Sequence, residues 1–355
     1  MKILVESYNS SFQNPAGGIS IRINNFIKHY KRLFPKDEIK LFNKWTDKIK
    51  DFDILHIFKV NIEDYQLMQI AESAKIPVII SSVIPNERGI NIVMGRILGN
   101  IFHLHTGYWF LNKMLLGASK IICQTKSEMR FIRKYYRVAE QKIEIIPNGI
   151  GIEFKECYRD LIRKKIGIYG DYVLQVGRFD RNKNQLSVIK AMAKTNIPVL
   201  FIGGPDCYDI EYYEKCKREA TTNMYFLGWI RYDDPLLASA YMNASVVIFP
   251  SKREIFGNAL IEASYAGAKI VVSNNVSVTD LKIADYCELI NPYDINDIRK
   301  KIICALSKPK DLSIQNRIRN LYNWDNVIYK HNALYHIVAG EKKDKDIGNK
   351  NFISK

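Results

Sequence analysis

Apolar residues in this chain come mostly in short unbroken runs rather than in long alternating ones. Ile3-Leu4-Val5, Ile54-Leu55-His56-Ile57, Val78-Ile79-Ile80 and Lys120-Ile121-Ile122-Cys123 punctuate the first half, and Ile143-Glu144-Ile145-Ile146 leads into the turn Pro147-Asn148-Gly149. Runs this short, closed by turn residues, read as strands covered on both faces. Segments with helical periodicity separate them. The rhythm resumes with Val173-Leu174-Gln175-Val176, Val199-Leu200-Phe201-Ile202, Tyr225-Phe226-Leu227, Val246-Val247-Ile248-Phe249 and Ile270-Val271-Val272. Strand alternating with helix over such a length predicts an α/β fold with parallel sheets and right-handed crossovers. The charged stretch "GIEFKECYRDLIRKKIGIYGD" separates the two series. A chain of 355 residues is more than one hydrophobic core usually organises. Two doubly wound, Rossmann-like domains facing a central cleft are therefore expected, residues 1–160 and 161–320, with an unstructured polar tail over 341–355.

Composition adds little to this until charge is considered. The apolar fraction of 47% and charged fraction of 25% are those of a soluble globular protein. The net charge of +16 calls for a partner or a solvated face. Lys28, Lys31, Arg32, Lys36, Lys40, Lys44, Lys48 and Lys50 crowd the first third with few acids among them. Two readings stay open there, a solvated lysine-rich face and a patch facing an anionic membrane surface. Nucleic acid is not expected, because zinc-finger spacing, an RNA-binding aromatic signature and a basic heptad helix are all missing. Six scattered cysteines without a C-x-x-C pair point to a reducing, cytoplasmic compartment. The start "MKILVESYNS" is too short in apolar residues for a signal peptide core, and no apolar run is long enough to span a bilayer. The uncharged, aromatic segment "ILGNIFHLHTGYWFLN" (97–112) reads either as a buried helix with its connecting loop or as a monotopic contact on the cytoplasmic face of a membrane.

Candidate chemistry concentrates in the second half. After the strand at 246–249 the chain reads "FPSKREIFGNALIEASYAGAKIVVS", with Glu254 in the loop and Glu262 on the following helix. Loops at the carboxyl edge of a parallel sheet are where open α/β folds bind ligands. Gly257 permits close backbone approach, and the free N–H groups of a first helical turn favour phosphate or sugar oxygens. Carboxylates accept hydrogen bonds from vicinal hydroxyls, so this pair beside an anion-friendly helix start fits a ligand with phosphate and polyol parts. From spacing alone each glutamate fits a solvated surface position equally well. A second element, "VLQVGRFDRNKNQLSVIKAM", places Arg178 and Lys183 after a strand and a glycine turn, one forked cation and one point cation suited to a diphosphate.

These blocks, "GRFDRNKN", "IIPNGI" and "EIFGNALIEASYAGAKIVVS", resemble the signatures of retaining glycosyltransferases of family 4, also called group 1 glycosyltransferases, with the GT-B fold; Glu254 and Glu262 match that family's E-x7-E motif. "AGGISIRINNFIKHY" is similar to its glycine loop and first helix, "YFLGWI" to the strand and turn beside the base, and "NWDNVIYKHNALYHIV" to its last helix, over 321–340, which crosses back to the first domain. The resemblance implies sugar transfer from a nucleotide-sugar donor, with retention and without a metal or other cofactor, to a glycan or lipid-linked acceptor in bacterial cell-envelope polysaccharide or lipopolysaccharide synthesis. It assigns Arg178 and Lys183 to the diphosphate, Glu254 to the donor sugar and Glu262 to the ribose. Phe256, Gly257, Asn258 and Ala259 would offer backbone groups to sugar and phosphate. Gly17 and Gly18 would approach the diphosphate, and Gly228, Trp229 and Ile230 would flank the base.

One departure stands out. Where many relatives carry a histidine after the strand "PVIISSVIPN", this chain has Ser81 and Ser82, with His103 and His105 as the substitutes nearby in sequence. That departure keeps a second function class in play, a non-catalytic nucleotide-sugar- or polysaccharide-binding protein. A metal-dependent transferase would need a well-placed D-x-D, which "DFD" (51–53) and "DKD" (344–346) do not supply, and "NPAGGIS" is not a dinucleotide fingerprint.

Overall fold

The computed structural model describes residues 1–13, 18–84, 89–274 and 278–352. The chain divides into two compact units, Met1–Gly149 with Trp324–Lys355, and Ile150–Asn323.

Unit 1 is built on a six-stranded parallel sheet in the order β2-β1-β3-β4-β5-β6. Its strands are β1 (Lys2–Ser7), β2 (Glu38–Leu41), β3 (Ile54–Phe58), β4 (Val78–Ser81), β5 (Lys120–Cys123) and β6 (Ile143–Ile145). β1 shows why the apolar runs are unbroken. Ile3 and Val5 pack under the helices Gly18–Leu33 and Trp324–Phe352, while Leu4 packs on the other face with Leu55 and Ile57. The helix Gly18–Leu33 buries Ile23, Phe26 and Tyr30, an i, i+3, i+7 stripe, and carries Lys31 and Arg32 in its last turn, where the helix dipole favours cations.

Unit 2 repeats the plan in the order β12-β11-β10-β7-β8-β9, again all parallel. The strands are β7 (Val173–Val176), β8 (Val199–Ile202), β9 (Met224–Phe226), β10 (Val246–Phe249), β11 (Lys269–Ser273) and β12 (Cys287–Ile290). Strand order reverses between β7 and β10, so the crevice outside their carboxyl ends is the position where a doubly wound sheet leaves room for a ligand. In unit 1 the equivalent reversal lies between β1 and β3.

Two strands escape the apolar-run pattern. β2 and β12 each lie at one edge of their sheet, and their sequences, Glu38-Ile39-Lys40-Leu41 and Cys287-Glu288-Leu289-Ile290, keep charged residues because one side of an edge strand meets solvent. The last helix continues from Trp324 to Phe352, past the point where an unstructured tail is expected. The segment 97–112 does not pack as a buried helix throughout. It forms the end of the helix Gly89–Ile101 and the start of Gly107–Gly117, and leaves Ile97, Ile101, Phe102 and Leu104 exposed.

Candidate active site

The loop after β7 begins with Gly177, whose φ of 152° is a backbone conformation that favours glycine, with the stem of Lys183 lying over it. Asp180 then organises the loop. One carboxylate oxygen accepts from the backbone N–H of Lys183 (2.7 Å), and the other accepts from the Arg178 guanidinium (3.1 and 3.2 Å). Asp206, beyond β8, takes Arg178 from a second side at 3.2 Å. The guanidinium is thus clamped between two carboxylates yet remains 42% exposed, so it is positioned without being sealed off.

The loop after β10 is laced to the first. Asn182 donates to the Arg253 carbonyl and accepts from the Arg253 N–H, both at 3.0 Å, and its own carbonyl accepts from the Lys252 N–H. Asn184, in a left-handed conformation just before the helix Gln185–Met192, donates to the Pro292 carbonyl at 2.7 Å. The outcome is an ion pair across the sheet reversal, Lys183 Nζ to Glu254 Oε2 at 2.5 Å, with both side chains partly accessible. Burial works against the lysine charge, but the Glu254 carboxylate outweighs it and holds the ammonium above its ordinary pKa. Two residues 71 positions apart therefore meet where the strand order places a ligand crevice.

Glu262 sits on the helix Asn258–Tyr265, which starts after Gly257 in a left-handed conformation (φ 76°). It is only 6% exposed, so a solvated surface glutamate is ruled out. The Tyr241 hydroxyl donates to Oε2 at 3.0 Å, and Tyr232, which also accepts from the Gly151 N–H, bonds the same carboxyl group. Burial pushes the Glu262 carboxyl up to about 7, and the two tyrosines moderate that rise. The group is pre-oriented by both tyrosines.

Glycines form the floor at the carboxyl ends of β7, β8 and β9. A β-carbon on Gly203 would lie 2.1 Å from the Gly177 carbonyl oxygen, and one on Gly204 would lie 2.2 Å from the Trp229 indole nitrogen. The Gly203 N–H donates to the Gly228 carbonyl (2.8 Å), and Gly228 is left-handed with φ 66°. Trp229 is 40% exposed and Ile230 half-buried. Because Gly203 meets backbone and has φ 141°, Gly203→Ala is expected to cost about 2–4 kcal/mol in chemical denaturation, through strain and forced separation of the strand ends. A loss below about 0.5 kcal/mol would show that the strand ends can separate freely.

The structure brings Arg178, Lys183 and Glu254 together around the end of β7, with Gly257 beside them, since a β-carbon there would sit 3.4 Å from Glu254 Cγ. Phe256 is a core side chain, edge-on to Tyr322, so only its backbone can face a ligand; Asn258 and Ala259 form the first turn of the helix. Gly18 begins the first helix of unit 1, and Gly17 lies outside the described residues. Sequence reasoning missed Asp180, Asp206, Tyr232 and Tyr241, the partners that hold the named residues. It also missed Gly203-Gly204, although two adjacent glycines closing a strand in "FIGGPD" are a visible signal.

In unit 1, Ser81 and Ser82 are wholly internal. Ser81 meets His56 Nε2 (2.9 Å) and Arg22 (3.4 Å), and Ser82 donates to Glu128 (2.8 Å). The imidazole beside Ser81 is therefore His56 of the neighbouring strand. It is fully buried and held well below its ordinary pKa by burial and by the nearby His331 and Arg22. His103 and His105 lie in the exposed connection between two helices, with His105 stacked on Trp109 at 4.0 Å. At the carboxyl end of β1, burial and then the Asp64 carboxylate raise Glu6 to about 8. Asp53 accepts from the Lys2 N–H (2.7 Å) at the amino edge of the sheet, on the opposite side from the ligand edge.

The sequence profile of the family described as glycosyl transferases group 1 matches residues 159–323. Residues 159–323 are thus similar to the group 1 glycosyltransferases. That match covers the ion-paired loops, the glycine floor and Glu262. An uncharacterized glycosyltransferase of Methanocaldococcus jannaschii is 30% identical over 170 residues, 44% of this chain and 43% of its own length. The chain thus spans less than half the length of the curated relatives it first matches. Anabaena HepE, solved in complex with UDP-glucose, superposes with a TM-score of 0.70 at 14% identity, over 93% of this chain and 98% of HepE. WaaG, a glycosyltransferase involved in lipopolysaccharide biosynthesis, superposes at 0.64 and 15% identity, over 96% and 100%. The fold of the chain is thus GT-B, with a doubly wound sheet in each unit.

Proposed function

We propose that the protein is a retaining, metal-independent glycosyltransferase that moves a sugar from a nucleotide-sugar donor to a glycan or lipid-linked acceptor in cell-surface polysaccharide or lipopolysaccharide synthesis. The observation that carries this is the meeting of Arg178, Lys183 and Glu254 at the strand-order reversal of unit 2. Support comes from the relative named as a glycosyltransferase and from the GT-B neighbours named for UDP-glucose and lipopolysaccharide.

A diphosphate entering the crevice would exchange for carboxylates. Arg178 would turn a face now held by Asp180 and Asp206, and Lys183 would share its ammonium between Glu254 and phosphate oxygen. As the bond from the anomeric carbon to the leaving oxygen breaks, negative charge builds on the diphosphate, and these two fixed cations lower the barrier. The departing phosphate oxygen accepts the proton of the acceptor hydroxyl, whose oxygen bonds to the anomeric carbon on the same face. Glu254 then orients the sugar hydroxyls rather than acting as an acid, and Glu262 accepts from the ribose.

The test is transfer or slow hydrolysis of radiolabelled UDP-, GDP-, ADP- and CMP-sugars by the purified protein. At least one donor should turn over at an unchanged rate in excess EDTA. Activity abolished by EDTA and restored by Mg²⁺ or Mn²⁺ would contradict the metal-independent mechanism. A non-catalytic nucleotide-sugar-binding protein is the second reading, favoured by the burial of Ser81, Ser82 and the adjacent His56. Donor binding without turnover of any donor would select it.

A further inference from the structure

In unit 1 the helix Gly89–Ile101 turns most of its large apolar side chains outward. Its inner side buries Ile92 together with Gly95 and Gly99. A β-carbon on Gly95 would lie 2.8 Å from Tyr108 Cβ, and one on Gly99 would lie 2.1 Å from Trp109 Cδ1, so the two glycines let the helix Gly107–Gly117 approach closely. Its outer side holds Ile90, Val93, Met94, Ile97 and Ile101, an i, i+3, i+4, i+7, i+11 stripe in which every side chain is exposed. Phe102 and Leu104 extend the stripe and are also exposed. Contiguous apolar surface of this kind marks a contact site.

Beside this stripe is a cavity of about 710 Å³. Its walls include Val60, Ile84, Met94, Leu98 and Leu111, with Lys59, Asn91 and Thr106 as polar points. Lys59 and Val60 directly follow β3, while Val83 and Ile84 follow β4, so the cavity opens along the ligand-binding edge of this sheet. Met94 belongs both to the cavity wall and to the exposed stripe, making the two continuous.

We propose that this cavity takes the hydrocarbon chain of a lipid-linked acceptor, reached from an anionic membrane surface on which the helix Gly89–Ile101 lies. This rests on the transfer reading above and names its acceptor class. A protein partner could cover the stripe, but filling a cavity lined mainly by apolar side chains calls for a slender apolar group. Charge points the same way. Residues 89–117 contain no acid, while Lys113 lies among them and Lys59 lines the cavity, a balance that complements anionic head groups.

The probe is pyrene-labelled hexadecyl phosphate below its micelle concentration, titrated into the full chain and followed by fluorescence. Saturable binding is expected, without competition from inorganic phosphate. Leu111→Trp and Leu98→Trp fill the cavity and should each weaken it by about tenfold. The outer-face double variant Ile97→Glu/Ile101→Glu should bind the soluble probe within about twofold of the wild type. It should lose about tenfold in flotation with vesicles of phosphatidylglycerol and phosphatidylcholine. Nucleoside diphosphate binding, measured on the same samples, should be the same in all variants. Unsaturable probe binding, equal binding by both tryptophan variants, or a wild type that ignores vesicles and self-associates through Ile97 and Ile101 would each overturn the proposal. A protein that binds the probe but no nucleoside diphosphate would instead remove the transfer reading and leave the cavity a lipid site.

Discussion

Arg178→Ala and Lys183→Ala are each expected to lower sugar transfer by about 10²–10³-fold, the loss typical of removing one preorganised donor from a developing negative charge. The effect should fall on turnover more than on donor affinity, because the diphosphate gains charge only as the glycosidic bond breaks. Neither change should unfold the domain. Arg178 is 42% exposed, and its two aspartates reach solvent, so losing that ion pair costs about 1 kcal/mol or less. Lys183→Met keeps the stem over Gly177 and separates charge from packing. Arg178→Lys keeps a charge but loses the fork that now spans Asp180 and Asp206, so it should rescue only part of the activity. Steady-state kinetics with circular dichroism as a folding control checks all four. Full activity in both alanine variants would remove the diphosphate assignment.

Glu262→Gln is the second expected result, and it carries a pH signature. The folded carboxyl titrates at about 7 against an ordinary value of 4.5, with burial as the main cause. A raised pKa means that the neutral form is favoured in the folded state. This contribution to stability is fully present below about 4.5 and is lost as pH rises through 7, by about 3 kcal/mol in total. Glu262→Gln should remove that slope, so the melting temperatures of variant and wild type should converge near pH 5 and the variant should gain at pH 8. Glu6, raised to about 8, adds a similar slope from unit 1, which cancels in the difference between the two proteins. Nucleotide binding should move the other way. Ribose hydroxyls donate best to the ionised carboxylate, so wild-type affinity for the matching nucleoside diphosphate should rise by up to about tenfold from pH 6 to pH 8. The glutamine variant should bind about tenfold more weakly at pH 8 and show no such rise. Calorimetry at the two pH values decides it, and parallel profiles for the two proteins would detach Glu262 from the ribose.

What could be read from the chain follows from which residues face a uniform environment. The strands at 173–176 and 246–249 are covered on both faces, so their sequences are unbroken apolar runs and visible. The edge strands Glu38–Leu41 and Cys287–Ile290 meet solvent and look like loop. Arg178, Lys183, Glu254 and Glu262 could be singled out as candidates from the blocks that resemble the family, while spacing alone left each glutamate equally suited to a surface position. Their holders, Asp180, Asp206, Tyr232 and Tyr241, could not be, since Asp206 and Tyr241 come from distant strands and helices whose juxtaposition only the sheet order creates. The stripe from Ile90 to Leu104 defeated periodicity for a different reason. Apolar spacing at 3.6 residues identifies one face of a helix but does not say whether that face meets the core or something outside it.

The most direct test is a crystal of this protein soaked with the nucleotide sugar that stabilises it best. The diphosphate should lie against the ends of β7 and β10, within hydrogen-bond reach of Arg178 and Lys183, with its ribose on Glu262. A bound nucleotide seated elsewhere, with Arg178 still closed on Asp180 and Asp206 and Lys183 on Glu254, would contradict the account.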